Sequence, residues 1–548
     1  MLTEASTYDD LYRSFRWDVP ERFNIATACC DRHADGSRRL ALVYVDEDGA
    51  TTRTTFDQVA EQSRRFANVL KADGLARGDR VAVFLSQSLE LPIAHLAAFR
   101  SGMISIPLFA LFGEDALEFR LSNSEARAIV TDASGWEKLK KIRDRLPALE
   151  NVYVIGDRAS AGTKPFWSQL EAASPDFTTV DTSCDDPALI IYTSGTTGNP
   201  KGALHAHRVV LGHLPNVEMC HNFLPRPGDL MWTPADWAWI GGLMNGLLST
   251  WLHGRPIVGT SREGSFDPEW AADLIAKQTV RNAFLPPTAL KMMRKARVRV
   301  APGRLRTVMS GGEVLGEETL AWAREHLGVT VNEIYGQTEA NYVVGNSQGA
   351  WDVRPGSMGR PYPGHEVSVL GKDGRPLPAG EIGEIAVRMP DPVVFLGYWR
   401  RPDATREKTR YEWLRAGDLA RMDEDGYLWF QGRADDVISS AGYRIGPEEI
   451  EQCLLLHPAV ALAAVIGVPD EVRGHVVKAF VQLVAGAEPS EERAREIQEF
   501  VRGRLAAYEY PREVEFVAQI PLTVTGKIRR SELRRLEEQR RKEARQGR

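Results

Sequence analysis

Cysteine is scarce in this 548-residue chain: five residues, Cys29, Cys30, Cys184, Cys220 and Cys453, with no CxxC spacing among them. That argues against a disulfide framework and a structural metal site, and it fits a reducing compartment. Long apolar runs are also missing, and none approaches the ~20 residues of a membrane-spanning helix. The opening Met-Leu-Thr-Glu-Ala-Ser is polar and acidic, unlike a secretory leader, so the expected location is cytoplasmic. Neither sign of charge dominates. The formal net charge of -6 gives nucleic acid no basic field to bind. There is no internal repeat and no long low-complexity linker. What remains, 43% hydrophobic and 26% charged, is the make-up of an ordinary globular enzyme. The length calls for a large domain and at least one smaller one.

Strand-like and helix-like stretches alternate over the first four hundred residues. Asp79 to Leu85, Ala126 to Thr131 and Asn151 to Ile155 read as strands, and Glu90 to Arg100 reads as a helix. This alternation predicts α/β layers with mostly parallel sheet. Glu366 to Leu370, Gly383 to Arg388 and Tyr427 to Phe430 are short strands between Gly/Pro/Asp turns, which predicts a smaller, more antiparallel β region. A polar knot, Gly432-Arg433-Ala434-Asp435-Asp436, marks the expected boundary. The expected domains are therefore 1–432 and 433–548, the second a small α+β domain. Its first helix should start at Gly446-Pro447-Glu448-Glu449, because proline and acids favour a first turn. Strands should follow over Ala461 to Val468 and Val476 to Leu483. The tail from Arg529 to Arg548 carries nine Lys/Arg against four Glu and is expected to be a solvated, fraying helix.

Residues 192–202 read Tyr-Thr-Ser-Gly-Thr-Thr-Gly-Asn-Pro-Lys-Gly, directly after the apolar run Ala188-Leu189-Ile190-Ile191. Thr193, Ser194, Thr196 and Thr197 can donate hydroxyls. Gly195 and Gly198 let backbone N–H groups approach closely, and Lys201 neutralises charge. A strand emptying into such a loop suits phosphates. It is not a Walker loop: five residues after Gly195 stands Pro200, and Lys201 is followed by Gly202 rather than Ser or Thr. Four further motifs follow in order. They are Tyr335-Gly336-Gln337-Thr338-Glu339, Gly417-Asp418, Ser439-Ser440-Ala441-Gly442-Tyr443-Arg444-Ile445, and Pro521-Leu-Thr-Val-Thr-Gly526-Lys527.

Together these motifs resemble the adenylate-forming (AMP-binding) superfamily, over about residues 40 to 535, and within it the short- and medium-chain acyl-CoA synthetases. The resemblance implies an AMP-forming acid–thiol ligase that uses ATP, Mg²⁺ and coenzyme A. An acyl-adenylate forms first, and the small domain then rotates about a hinge at Asp435 so that a thiol can displace AMP. ATP would be bound by Thr193, Ser194, Gly195, Thr196, Thr197, Gly198, Lys201, Glu333, Tyr335, Gly336, Gln337, Thr338, Asp418, Arg433 and Lys527. The catalytic residues would be Lys527, Thr338 and Glu339, with Glu339 holding the metal. The implied role of Asp418 agrees with its chemistry, since a carboxylate is acceptor-only and can take both ribose hydroxyls.

The loop with Gly442, Tyr443 and Arg444 would admit the pantetheine thiol, and Arg473, Arg502, Tyr510 and Arg512 would contact coenzyme A. Acetate-specific relatives carry tryptophan where this chain has Gly336, and a bulkier residue where it has Gly311. Both glycines are expected to enlarge the acyl pocket. Trp237 and Trp239 fall in the aromatic segment that lines that pocket, or are ordinary core. The expected substrate is a short- to medium-chain acid, linear or branched. The spacing before Lys527 resembles synthetases silenced by lysine acetylation, which implies an acetyltransferase and a deacetylase as partners. A ligase that loads a carrier protein, and a non-catalytic nucleotide sensor, remain the alternatives.

Overall fold

The computed structural model describes the chain from residue 2 to residue 546, except residues 6, 157–159, 194–199, 262–263, 265, 314, 435, 437, 441–442, 471–473, 506–509 and 524–525. Two compact units are formed. The larger comprises the chain up to Thr193 with Pro200–Val367 and Val387–Leu414; the smaller comprises Ser368–Ala386 and the chain from Arg415 onward.

The larger unit is built on two broad sheets flanked by helices. In the first, the strands Arg80–Phe84, Ile104–Pro107, Ala128–Thr131, Asn151–Val154 and Pro187–Thr193 run parallel. At one edge this sheet turns antiparallel through Lys201–Ala206 and then Gly397–Tyr398. In the second, the parallel strands Leu40–Val45, Ile257–Thr260, Met231–Trp232, Asn282–Phe284, Thr307–Gly311 and Val331–Gln337 end in an antiparallel partner, Ala340–Gly345. Near-continuous burial along Ala128–Thr131 and Thr307–Gly311 is what parallel strands covered on both faces require. The helix Glu90–Arg100 lies where its pattern places it, and almost every residue in it is buried. Phe56–Ala72 starts at a capping box between Thr55 and Gln58 and buries Phe56, Val59, Ala60, Phe66 and Leu70 along one stripe.

In the smaller unit, Val460–Asp470 pairs antiparallel with Gly474–Leu483, which pairs parallel with Glu513–Phe516. Strand alternation divides the core. Ala463, Val465, Val477 and Ala479 pack with Ile450, Leu454, Ile497 and Val501 on one face. Ala464, Ile466, Val476 and Phe480 pack with Ile520 and Leu533 on the other. The helix Pro447–Leu455 begins at its proline with Glu448 and Glu449 in the first turn. The strand expected over Tyr427–Phe430 is observed as Leu428–Arg433, antiparallel to Trp413–Met422.

The tail corrects the expectation of a solvated helix. Arg530–Gln546 is helical, and Leu533 and Glu537 are buried against the sheet. Lys478 meets Glu537 at 2.8 Å and Glu515 at 2.9 Å, and Arg541 meets Glu513 at 2.8 Å. The inner face of this helix is built largely from ion pairs. All five cysteines are free and buried.

Candidate active site

In the larger unit, Pro187–Thr193 and Lys201–Ala206 are neighbouring antiparallel strands with Thr193 opposite Lys201. The Thr193 hydroxyl donates to the Lys201 carbonyl at 3.3 Å. Ser194, Gly195, Thr196, Thr197 and Gly198 lie outside the described residues. The glycine at 202 follows from packing: a Cβ there would stand 2.8 Å from the Ile190 side chain.

The second signature is a tight hairpin. Gln337 pairs with Ala340, which leaves Thr338 and Glu339 as its two turn residues. Such a turn presents both side chains at the end of a rigid ribbon. Glu339 is buried, its carbonyl accepts from the Phe395 N–H at 2.9 Å, and its carboxylate accepts the Tyr398 hydroxyl. The Lys201 ammonium lies 5.2 Å from the Tyr398 ring centroid. Lys408 donates to the Gln337 side chain at 3.1 Å. The structure thus brings Lys201 to the ring and Glu339 to the hydroxyl of Tyr398, a residue the sequence motifs did not point to. Among the described residues no three His, Cys, Asp or Glu side chains gather into a metal cage. One carboxylate beside a hydroxyl suits a hard cation that takes its remaining oxygens from phosphate and water, as Mg²⁺ does.

Glu333 precedes this hairpin. It sits opposite Ser310, and one of its carboxylate oxygens accepts from the Leu315 N–H at 3.2 Å. Burial pushes its carboxyl up to about 7, against the opposing influence of that hydrogen bond and of Lys291. The raised value has a definite sign. Above pH ~4.5 the unfolded chain releases a proton that the folded state keeps until about pH 7, so this group costs stability as pH rises through that window. In Glu333→Gln the melting temperature should therefore fall less than in the parent between pH 4.5 and 7.5. Parallel curves in differential scanning fluorimetry would reject the assignment.

The two glycines expected to enlarge the acyl pocket have another cause. A Cβ on Gly336 would lie 2.0 Å from the Tyr342 backbone nitrogen, and one on Gly311 would lie 2.5 Å from Ile334. Both are set by close approach of neighbouring backbone or side chain, so their lack of a Cβ does not by itself open a cavity. Trp237 is fully buried in the main core. Trp239 is half-buried and lies 5.5 Å from the Phe284 ring, which meets Tyr342 edge-on at 6.1 Å. These three rings converge on Gly241, where a π-helix, Gly241–Leu248, begins. Wide π turns recur at functional sites. Phe284 and Tyr342 gave no sequence signal, because each is an ordinary aromatic residue in a strand.

In the smaller unit, Asp418 and Arg433 are directly opposed on neighbouring strands, 3.4 Å apart, with Asp418 buried. Gly417 takes a left-handed φ of 76° and donates its N–H to Glu384 at 2.9 Å, which aims the Asp418 carboxylate. Lys527 is exposed and follows a turn closed by backbone bonds. Thr523 N–H donates to Lys527 O at 2.7 Å, and Gly526 N–H donates to Thr523 O at 2.9 Å with φ 86° at Gly526. Three residues on, Arg530 meets Glu451 at 2.5 Å and Asp436 and Glu448 at 3.3 Å each. Burial pushes Glu451 up to about 7 despite Arg530, and it raises Glu448 as well.

Among the residues assigned to coenzyme A, Arg502 and Arg512 both stand over the Tyr510 ring, at 5.6 and 5.1 Å. Tyr443 and Arg444 belong to a short strand paired with Ile438–Ser440. Gly442, Arg473 and Asp435 lie outside the described residues.

Residues 30–399 match the AMP-binding enzyme family, and residues 449–527 match the AMP-binding enzyme C-terminal domain. The chain is 37% identical to an acetyl-coenzyme A synthetase of Bacillus subtilis, over 96% of this chain and 94% of that protein. It is 36% identical to the mitochondrial acyl-coenzyme A synthetase ACSM4 of Rattus norvegicus, over 94% of this chain and 91% of that one. Among solved structures it resembles the anthranilate CoA ligase AuaEII in complex with anthranoyl-AMP. That likeness has a TM-score of 0.85 and 29% identity, covering 95% of this chain and 98% of that one.

Proposed function

This chain belongs to the AMP-binding enzyme family, and from that premise we propose its reaction in full: it is an adenylate-forming acyl-CoA ligase for a short- to medium-chain carboxylic acid. A carboxylate oxygen of the acid attacks the α-phosphorus of ATP, and the α–β bridging bond breaks to release pyrophosphate. The thiolate of coenzyme A then attacks the acyl carbon, and AMP leaves.

The observation that carries the assignment of roles is the hairpin turn at Thr338 and Glu339, with the Glu339 carboxylate accepting the Tyr398 hydroxyl and the Lys201 ammonium 5.2 Å from the centre of that ring. Thr338 donates to the reacting phosphate and acid. Lys201 holds the phosphates that depart, together with residues 193–198. Tyr335, Gly336, Gln337 and Glu333 form the wall on which the nucleotide lies. Asp418 accepts the ribose hydroxyls, with Arg433 beside it. Glu339 would hold Mg²⁺, which when bound neutralises phosphate charge. Lys527 stabilises the charge that develops at the α-phosphate.

For the second step, the chain from 433 onward turns about Asp435 and brings Gly442, Tyr443 and Arg444 to the thiol. Arg473, Arg502 and Arg512 meet the phosphates of coenzyme A, and Tyr510 spaces the last two. Guanidinium forks suit such phosphates. The exposed side chain of Lys527 gives an acetyltransferase access, and acetylation would remove the charge the first step needs. Five buried free thiols go with a cytoplasmic location.

The acid's tail rests against Trp239, Phe284 and Tyr342 where they converge on Gly241. Selectivity should be graded, because one buried methylene contributes ~0.8 kcal/mol, or about fourfold. A panel of C2–C12 linear, branched and aromatic acids, with AMP and CoA thioester both quantified, should place the highest kcat/KM on a short- to medium-chain acid above acetate. A clear preference for acetate, or activity confined to long chains, would overturn the acyl assignment. Pyrophosphate release without any thioester would overturn the ligase assignment.

A further inference from the structure

Tyr398 is placed with more care than a packing residue needs. Gly397–Tyr398 adds a short antiparallel strand to Lys201–Ala206, with Tyr398 opposite Ala203. The Trp399 N–H donates to Gly202 O at 2.7 Å and the Leu396 N–H to Leu204 O at 2.7 Å. The Thr405 hydroxyl accepts from the Tyr398 N–H at 2.9 Å. The Phe395 ring stands edge-on to the Tyr398 ring at 5.0 Å. With the backbone bonded on both sides and the ring walled by Phe395, the hydroxyl is delivered to the Glu339 carboxylate. The ring face is left toward Lys201. Glu339 is itself fixed from the same segment by the Phe395 N–H and an antiparallel bridge between Ala340 and Val394.

A carboxylate that accepts a hydroxyl proton at one oxygen keeps lone pairs on both oxygens, but its rotation is now set. In metal sites, loss of the partner that orients a ligand typically costs about 10–100-fold in metal affinity. We propose that Tyr398 is a positioning residue for the metal-bound nucleotide: its hydroxyl sets the orientation of Glu339, and its ring holds the Lys201 ammonium near the same phosphates. This inference rests on the role given to Glu339 above. A Tyr398→Phe chain keeps the ring and its packing and loses only the hydroxyl.

The test measures Mn²⁺ binding by electron paramagnetic resonance at fixed ATP, together with the Mg²⁺ concentration that half-saturates ATP-dependent thermal stabilisation. Parent, Tyr398→Phe, Glu339→Gln and the double variant are compared, and the melting temperature without ligand is recorded for each. Tyr398→Phe is expected to raise the half-saturating metal concentration about 10–100-fold. The double variant should add little to Glu339→Gln alone, because the hydroxyl acts through that carboxylate. A shift in Glu339→Gln with none in Tyr398→Phe would overturn this inference and leave the proposed function standing. A lower unliganded melting temperature in Tyr398→Phe with unchanged metal dependence would also overturn it, since that is a packing role. No shift in Glu339→Gln would overturn the metal assignment itself.

Discussion

Lys527→Ala is expected to slow acyl-adenylate formation by about 10²–10³-fold, the usual cost of one preorganised donor at a developing charge. The turn that carries Lys527 is closed by backbone bonds between Thr523, Gly526 and Lys527, and the side chain is exposed. Removing the ammonium leaves those backbone bonds in place, and the loss should lie mainly in chemistry. The second half-reaction supplies the contrast. Given synthetic acyl-adenylate and coenzyme A, the same variant should form thioester at close to the parental rate, because the α-phosphorus is not attacked in that step. Rapid-quench measurement of pyrophosphate in a single turnover, beside thioester formation from the adenylate, separates the two steps. Equal losses in both would reject the assignment of Lys527 to the first step. Lys201→Ala should be impaired less in adenylation, since the role proposed for Lys201 is toward the groups that leave rather than the atom attacked.

The sequence disclosed the fold where a pattern is local. The helix at Glu90–Arg100 and the strands near 80, 128 and 151 stand within about two residues of their expected bounds, because period and burial agree there. It also disclosed the signatures at 193–201, 335–339, 418 and 527 as continuous runs. It did not disclose Tyr398. That residue reaches Glu339 only because Gly397–Tyr398 pairs with the strand after the phosphate loop, and strand pairing between distant segments leaves no mark in either one. Nor does a glycine in a sequence say why it is glycine. Gly336 and Gly311 read as room for a substrate, and they prove to be places where Tyr342 and Ile334 leave no space for a Cβ. The basic tail was legible after the fact. Arg530, Arg534, Glu537 and Arg541 recur at helical spacing along one face, but a face of charges looks like a solvated one unless its partners are known.

The same tail gives the largest expected effect on stability. Arg530 is nearly buried and stands among three nearly buried carboxylates: Glu451, Glu448 and Asp436. Removing one partner of a buried ion pair costs about 3–5 kcal/mol, because the other charge is left in the interior. Arg530→Ala should fall in this range, cushioned at Asp436 by the contact with Arg534. The loss should depend on pH with a definite sign. Burial already raises Glu451 to about 7 while Arg530 opposes it, so removing the guanidinium raises it further. A carboxyl whose folded pKa stands above its ordinary ~4.5 binds a proton on folding, and that stabilisation fades as pH rises through the folded value. The deficit should therefore be smallest near pH 5 and largest above pH 7. Urea unfolding of parent and variant at pH 5, 6, 7 and 8 measures it, and a deficit independent of pH would exclude uncompensated carboxylates as its cause. The network also reaches the chemistry. Arg530 follows Lys527 by three residues, and the Arg529 N–H holds the same turn to Pro521 O at 2.9 Å. Asp436 adjoins position 435, so a single guanidinium ties the lysine turn to the segment about which the small domain is proposed to rotate. Replacing Arg530 and Glu451 together by Met and Leu should recover part of the stability, since an apolar pair of similar volume often does, while Glu448 loses its Arg530 contact and the Val465 N–H its acceptor. If the double variant is stable yet slow in adenylation and normal in thioester formation from acyl-adenylate, the ion network serves to keep Lys527 in register through the turn, and stability is the lesser part of its role.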